Sequence, residues 1–197
     1  MGCQVSDLQR QVVEIVRSRG YERRDEPFTL ASGQTSHDYI DGKRAMDNGA
    51  HLRLVAEAIL ELARDRHIDF NAVGGRTMGA DPMAHALSIL AGCSWFSVRK
   101  EPKPRGHERW IEGCRLDSDS RVLLLEDVVT TGGSVRLAYD HIRETGASVV
   151  GLIPLVDRGD HAQRWFAQQH IPYAPVLTYR DLGIAPVAGP PFADTAG

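Results

Sequence analysis

The stretch RVLLLEDVVTTGGSV, Arg121 to Val135, decides how this chain is read: an apolar run passes into two adjacent carboxylates, then hydroxyls and glycines, then a helix start. Val122, Leu123, Leu124 and Leu125 are apolar at every position. A parallel strand covered on both faces reads this way, whereas a half-solvated strand alternates. At the carboxyl end of such a strand, Glu126 and Asp127 stand where open α/β sheets bind ligands. Paired acids there can accept hydrogen bonds from a sugar diol or sit near a hydrated Mg2+. Thr130, Thr131, Gly132, Gly133 and Ser134 then form a turn whose backbone N–H groups converge at a helix amino terminus, a concavity that suits phosphate. No G-x-G-x-x-G follows the strand and no lysine follows the glycines, so the dinucleotide and Walker patterns both fail.

Working outward, the pattern predicts a helix over Ser134 to Glu144 and a second apolar strand over Ser148 to Val156. On the other side it predicts a strand near Ser94 to Val98, a helix near Asp81 to Leu90, and a short apolar run, Phe70 to Val73, ended by Gly74 and Gly75. A helix from about Asp47 to Arg64 carries Leu52, Val55, Ile59 and Leu62 on one face. Ser6 and Gln9 read as a capping box opening a helix with Leu8, Val12, Ile15 and Val16 on its apolar side, closed by Gly20. This alternation predicts an α/β fold with a central parallel sheet flanked by helices.

Between Val98 and Arg121 lies RKEPKPRGHERWIEGCRLDSD, charged, broken by Pro102, Pro104 and Gly106, and predicted to be a long mobile loop over about 99–116. From Arg99 to Arg109 five basic residues (Arg99, Lys100, Lys103, Arg105, Arg109) oppose only Glu101 and Glu108. The chain as a whole has a net charge of −3, so this local reversal asks for an anion. That total gives no cationic field for nucleic acid or an anionic membrane.

At 197 residues, with 42% hydrophobic and 25% charged, one globular domain is expected. Cys3, Cys93 and Cys114 are odd in number, lack zinc spacing and sit by no obvious base, so they read as structural thiols in a reducing cytosol. The first residues lack a signal peptide's apolar run and no segment has the length of a membrane span, which predicts a cytoplasmic protein. Gly2 and Cys3 invite an acylation reading, weaker than an ordinary helix start at Ser6. The tail VAGPPFADTAG cannot continue a helix and is expected to run over the surface. His51, His67, His85 and His141 are scattered and read as no metal site, Trp95 and Phe96 as strand packing, and Trp110 as an anchor for the loop's far end.

The stretch Val122 to Ser134 resembles the phosphoribosyl pyrophosphate (PRPP) motif of the type I phosphoribosyltransferases. FTLASGQTSHDYID (Phe28 to Asp41), AVGGRTMGADPMA (Ala72 to Ala84) and VRKEPKPRG (Val98 to Gly106) are similar, in order and spacing, to segments of the orotate phosphoribosyltransferases. The resemblance implies the type I fold in a single domain over 1–197, with a core at about 46–174 and a small hood from about 1–45 and 175–197. It also implies a homodimer in which the mobile catalytic loop of one subunit closes over its neighbour's site, with PRPP and orotate as substrates and Mg2+ as cofactor.

Residue by residue, it implies that Glu126 and Asp127 hold the ribose hydroxyls. The run Asp127, Val128, Val129, Thr130, Thr131, Gly132, Gly133 and Ser134 would wrap the 5-phosphate, with Thr130 also touching the base. Gly74 and Gly75 resemble the short loop that holds pyrophosphate. Arg99, Lys100 and Lys103 resemble the catalytic loop, with Arg105 and His107 beyond them also near the leaving group. Arg158 matches the arginine that pairs with orotate, a planar carboxylate suited to a guanidinium fork. Tyr39 sits where the family places aromatic side chains near orotate, a position that a core tyrosine fits equally. Mg2+ would be held mainly by PRPP and water near Glu126 and Asp127. The chain differs from the family at Ala31, often a lysine, for which Lys43 or Arg76 is a substitute, and at Arg105, where a histidine is usual and His107 lies two positions on. The phosphate machinery does not see the base, so a purine or uracil phosphoribosyltransferase, or a non-catalytic PRPP-binding regulatory protein, are the alternatives.

Overall fold

The computed structural model describes residues 6–30, 33–102 and 110–187. Ser6 opens the first helix as a full capping box: its Oγ accepts from Gln9 N–H at 3.1 Å and the Gln9 side chain accepts from Ser6 N–H at 3.2 Å. Helix α1 (Asp7–Ile15) runs into one wide turn, Val16–Gly20, and buries Val12 and Val16. Gly20 passes the chain into a hairpin of β1 (Tyr21–Thr29) and β2 (Thr35–Ile40), whose polar, mostly half-exposed strands carry little period for sequence reading to detect. Asp41 caps the short helix α2 (Gly42–Ala45), and Asn48 caps α3 (Gly49–Asp65).

There follow β3 (Ala72–Arg76), α4 (Asp81–Ala91), β4 (Ser94–Val98), β5 (Ile111–Gly113), β6 (Arg121–Val129), α5 (Gly133–Glu144), β7 (Ser148–Asp157), α6 (His161–Gln168), β8 (Leu177–Thr178) and α7 (Tyr179–Leu182). The main sheet has the order β5-β4-β3-β6-β7-β8. Its pairs are parallel except β5 with β4, which is antiparallel at the edge. This is the expected central parallel sheet flanked by helices, with one antiparallel strand added at its edge.

The sheet's middle strand shows why its sequence is apolar throughout. Leu123 and Leu125 face a core that includes Val55, Ile59, Met83 and Leu87 from α3 and α4, while Val122 and Leu124 face Val135, Ile142 and Phe166 from α5 and α6. All four strand residues are fully buried, so truncating any one to alanine costs roughly 2–5 kcal/mol.

Three expected boundaries move. β3 does not stop before its glycines but contains them, with Gly74 opposite Phe96 and Leu124, and Gly75 opposite Ser97 and Leu125. β6 continues through Glu126 and Asp127 to Val129, because β7 is long enough to pair with it to Asp157. The loop expected over about 99–116 is shorter, since Ile111–Gly113 pairs with β4 and Trp110 C=O accepts from Arg99 N–H at 2.8 Å. Trp110 stacks on His141 of α5 with ring centroids 4.1 Å apart, the anchoring role expected of it. Ala31, Lys103, Arg105, His107, the first residues and the tail lie outside the described residues.

Candidate active site

The parallel strands β3, β6 and β7 end at the same edge of the sheet, and the two acids of β6 stand there. Glu126 is buried and accepts a hydrogen bond from Ser134 Oγ at 2.9 Å, which ties the strand end to the first turn of α5. Burial, and then the neighbouring Asp127 charge, push its carboxyl up to about 8. Asp127 is more open and accepts from Lys43 Nζ at 3.1 Å. Burial opposes the Lys43 charge, yet Asp127 and Asp41 together raise its pKa above the ordinary lysine value. The adjacent carboxylates are therefore unequal: one is held neutral near pH 7 and the other is paired with a cation.

Thr130 to Ser134 turn the chain into α5. Gly132 adopts φ 91°, the left-handed region that glycine tolerates, and no side chain caps the helix. The first N–H groups of α5 stay open to an anion. Val128 and Val129 are strand residues paired with Val156 and Asp157, and Val129 C=O accepts from Arg158 N–H at 2.8 Å. Of the expected phosphate cradle, Asp127 to Val129 thus belong to β6, paired on the β7 side alone since β3 pairs only as far as Leu125, and Thr130–Ser134 form the turn.

Gly74 and Gly75 lie within β3, where neighbouring strands leave no room for a side chain. A Cβ at Gly74 would lie 2.2 Å from Phe96 O, and one at Gly75 would lie 2.1 Å from Leu125 O. The segment of that region that does face the acids is the next turn, 77–80. A Cβ on Gly79 would fall 2.4 Å from Asp127 Oδ1 and 2.9 Å from Glu126 Oε1. A Cβ on Gly42 of α2 would also crowd Asp127, at 2.9 Å from its Cβ. Sequence reasoning missed Gly42, Gly79 and the Lys43–Asp127 pair; the only signal was the run GGRTMG, which has two candidate glycine turns.

Arg158 is almost fully buried, and burial lowers its pKa against the opposing charge of Asp38. Its fork is partly occupied: Nη1 donates to Asp38 C=O at 2.8 Å and Nη2 to Ser36 Oγ at 3.3 Å, leaving Nε buried without a partner. A cavity of about 730 Å³ opens beside it, lined by Arg23, Gln34, Ser36, Asp38 and Val187 among others. Tyr39 does not line that cavity. Its ring packs edge-on to Phe28 at 5.4 Å with the Arg24 guanidinium over it at 4.3 Å. The structure therefore does not bring Tyr39 and Arg158 together around one space.

The described part of the basic segment makes its contacts at the β4–β5 edge. Arg99 Nε donates to Glu101 C=O at 3.0 Å, and Nη1 lies 3.5 Å from Glu112 on β5. Lys100 is exposed, and both residues line a cavity of about 430 Å³ with Thr77 and Ser97. Among the described residues no cluster of three or more His, Cys, Asp or Glu could hold a metal ion.

A strand ending in two acids, an uncapped helix amino terminus and a glycine turn facing the acids define a phosphoribosyl-transfer fold and site. The phosphoribosyl transferase domain family matches residues 46–173, and the chain belongs to that family, in its type I class. The orotate phosphoribosyltransferase of Corynebacterium glutamicum is 40% identical over 158 residues, covering 79% of this chain and 84% of that one. Its counterpart in Methanocaldococcus jannaschii is 37% identical over 176 residues, covering 89% and 97%. The crystal structure of Mycobacterium tuberculosis H37Rv orotate phosphoribosyltransferase in complex with PRPP matches with a TM-score of 0.74 and 33% identity, covering 90% of this chain and 99% of that one. Within its class the chain is a member of the orotate phosphoribosyltransferase family.

Proposed function

We propose that this orotate phosphoribosyltransferase transfers the phosphoribosyl group of PRPP to a ring nitrogen of orotate through the residues gathered at the end of β6. The products are orotidine 5'-phosphate and pyrophosphate, a step of de novo pyrimidine synthesis. One observation carries the residue assignment: Glu126 and Asp127 sit directly before the uncapped start of α5 and directly against the turn at Gly79. A 5-phosphate at the Thr130–Ser134 turn puts the ribose over the two acids and its anomeric carbon toward that turn.

Asp127, paired with Lys43, accepts from a ribose hydroxyl and favours positive charge growing on the sugar in the transition state. Glu126, neutral near pH 7, can donate as well as accept toward the diol. No protein nucleophile is needed. Catalysis comes from holding the partners in line and from cations aimed at the leaving group, each well-placed donor being worth about 3 kcal/mol. Two carboxylates, one of them paired with Lys43, do not complete a coordination sphere for Mg2+. The ion would therefore arrive on diphosphate oxygens and water, with Asp127 nearby, and would supply charge neutralisation.

The β1–β2 hairpin and the segment after β8, a strand of the main sheet, form the hood in this reading, and Arg158 holds the orotate carboxylate after releasing a hairpin contact. The basic segment acts on the site of a second copy of the chain, in a cytoplasmic homodimer. Two features support this: Arg99 pairs with Glu112 on β5, and Ile89 and Leu90 of α4, like Trp95 of β4, are exposed apolar side chains. No helix among the described residues is long and apolar enough to cross a membrane.

Steady-state assays with PRPP, Mg2+ and each base in turn test the reaction. Turnover of orotate is expected, and turnover of hypoxanthine or adenine without orotate overturns it. Mixing Lys103→Ala subunits with Asp127→Asn subunits tests the shared loop: partial recovery is expected, and none despite confirmed subunit exchange favours action within one chain.

A further inference from the structure

We infer that Asp81 is a positioning residue for the diphosphate half of the reaction, its carboxylate clamping the turn after β3 to the strand from which the basic segment leaves. Each carboxylate oxygen accepts one hydroxyl: Thr77 Oγ1 donates to Oδ2 and Ser97 Oγ to Oδ1, both at 2.6 Å. These distances are those of a hydroxyl donating to a carboxylate. Thr77 N–H also donates to Val98 C=O at 2.9 Å, a second tie between the same two segments.

The turn that Asp81 holds touches the acids on its other side through Gly79. Ser97, at the far end of the clamp, lies two residues before Arg99. One carboxylate thus links the acids of β6, through a short turn, to the start of the basic segment. The cavity that Thr77 and Ser97 line together with Arg99 and Lys100 opens over the clamp.

The sequence around Asp81 sharpens the point. From Gly79 to Val98 it is the only acidic or basic residue apart from His85, in a chain that is 25% charged. An isolated charge on so apolar a segment needs partners, and its partners here are two hydroxyls and the amino terminus of α4. With both oxygens occupied, Asp81 orients the turn without presenting a free acceptor to an incoming diphosphate. A simple helix-end charge would stabilise α4 but would have no reason to distinguish the two substrates.

The inference rests on the phosphoribosyl-transfer reading, and calorimetric titration with PRPP alone separates the two, since binding is read without a base. Asp81→Ala is expected to lower kcat/KM for PRPP by about 30-fold and weaken PRPP binding, while the KM for orotate moves by less than about 2-fold. Asp81→Asn keeps one acceptor oxygen and recovers part of the loss. Thr77→Val and Ser97→Ala each cost about 5-fold, and adding Asp81→Ala to that pair costs nothing further, because all three changes break one unit. Equal losses for both substrates, or a lower Tm with unchanged kinetic constants, overturn the inference. If Asp81→Ala fails to fold, Ser97→Ala, which deletes a single hydroxyl, decides by the same split between substrates. A wild-type protein that binds PRPP without converting orotate overturns the activity reading alone, and the binding comparison still decides Asp81.

Discussion

The two halves of the site are built in opposite ways. The end of β6 and the start of α5 form a contiguous piece of chain, held by the Ser134–Glu126 hydrogen bond across eight residues. The region after β3 and β4 is assembled from segments far apart: the turn 77–80, Ser97, Arg99 and Glu112 meet only because β3, β4 and β5 lie side by side. The first half is contiguous in the chain, and it suits the part of a substrate that does not change during reaction. The second depends on long-range pairing and suits the departing group, around which the protein must open and close.

Breaking the contiguous half should have the largest effect. Asp127→Asn removes the carboxylate acceptor and the partner of Lys43, and is expected to lower kcat about 100-fold in a steady-state assay. Unchanged activity would remove Asp127 from the site. Gly79→Ala attacks the seam between the halves. Its methyl must push the Asp127 and Glu126 oxygens aside, and kcat/KM for PRPP should fall about 10-fold while the far-ultraviolet spectrum holds.

A pH experiment sharpens the inequality of the acids. Glu126 has a folded-state pKa raised from 4.5 to about 8, so between those values the folded chain binds more protons than the unfolded one. Stability contributed by its neutral form is therefore lost as pH rises through that window, and the wild type should melt lower at pH 8 than at pH 5 through this group. Glu126→Gln, neutral at every pH, should flatten that slope. An unaltered slope would show that Glu126 is ionised in the folded protein. The smallest effect is expected from Trp110→Ala, which loses the stack on His141 and should cost about 1 kcal/mol in urea denaturation. A larger loss of activity than of stability there would show that the anchor also sets the basic segment's path.

Much of this was legible in the chain. The capping box at Ser6, the α3, α4 and α5 helices and the four central strands all announce themselves by period or by unbroken apolarity. The hairpin did not, because Glu22, Arg23, Arg24, Asp25 and Glu26 leave no alternation to read, and its partner strand is identified only by pairing. Gly74 and Gly75 read as a ligand turn, and the structure adds that they belong to β3, where neighbouring strand carbonyls fill the space that side chains would take. The usable glycine was Gly79, four residues on.

The sequence by itself determined the α/β order, the fully buried β6, the two acids and the glycine turn after it, since those residues are neighbours in the chain and their geometry follows from local period and turn chemistry. Only the tertiary structure decided that Lys43, 84 residues away, pairs with Asp127, that Arg158 reaches 120 residues back to Asp38, and that Asp81 joins two strands. Contacts between distant segments leave no period behind. They are set by which strands lie side by side, and that is chosen by burial of the sheet's two faces rather than by any residue in the site.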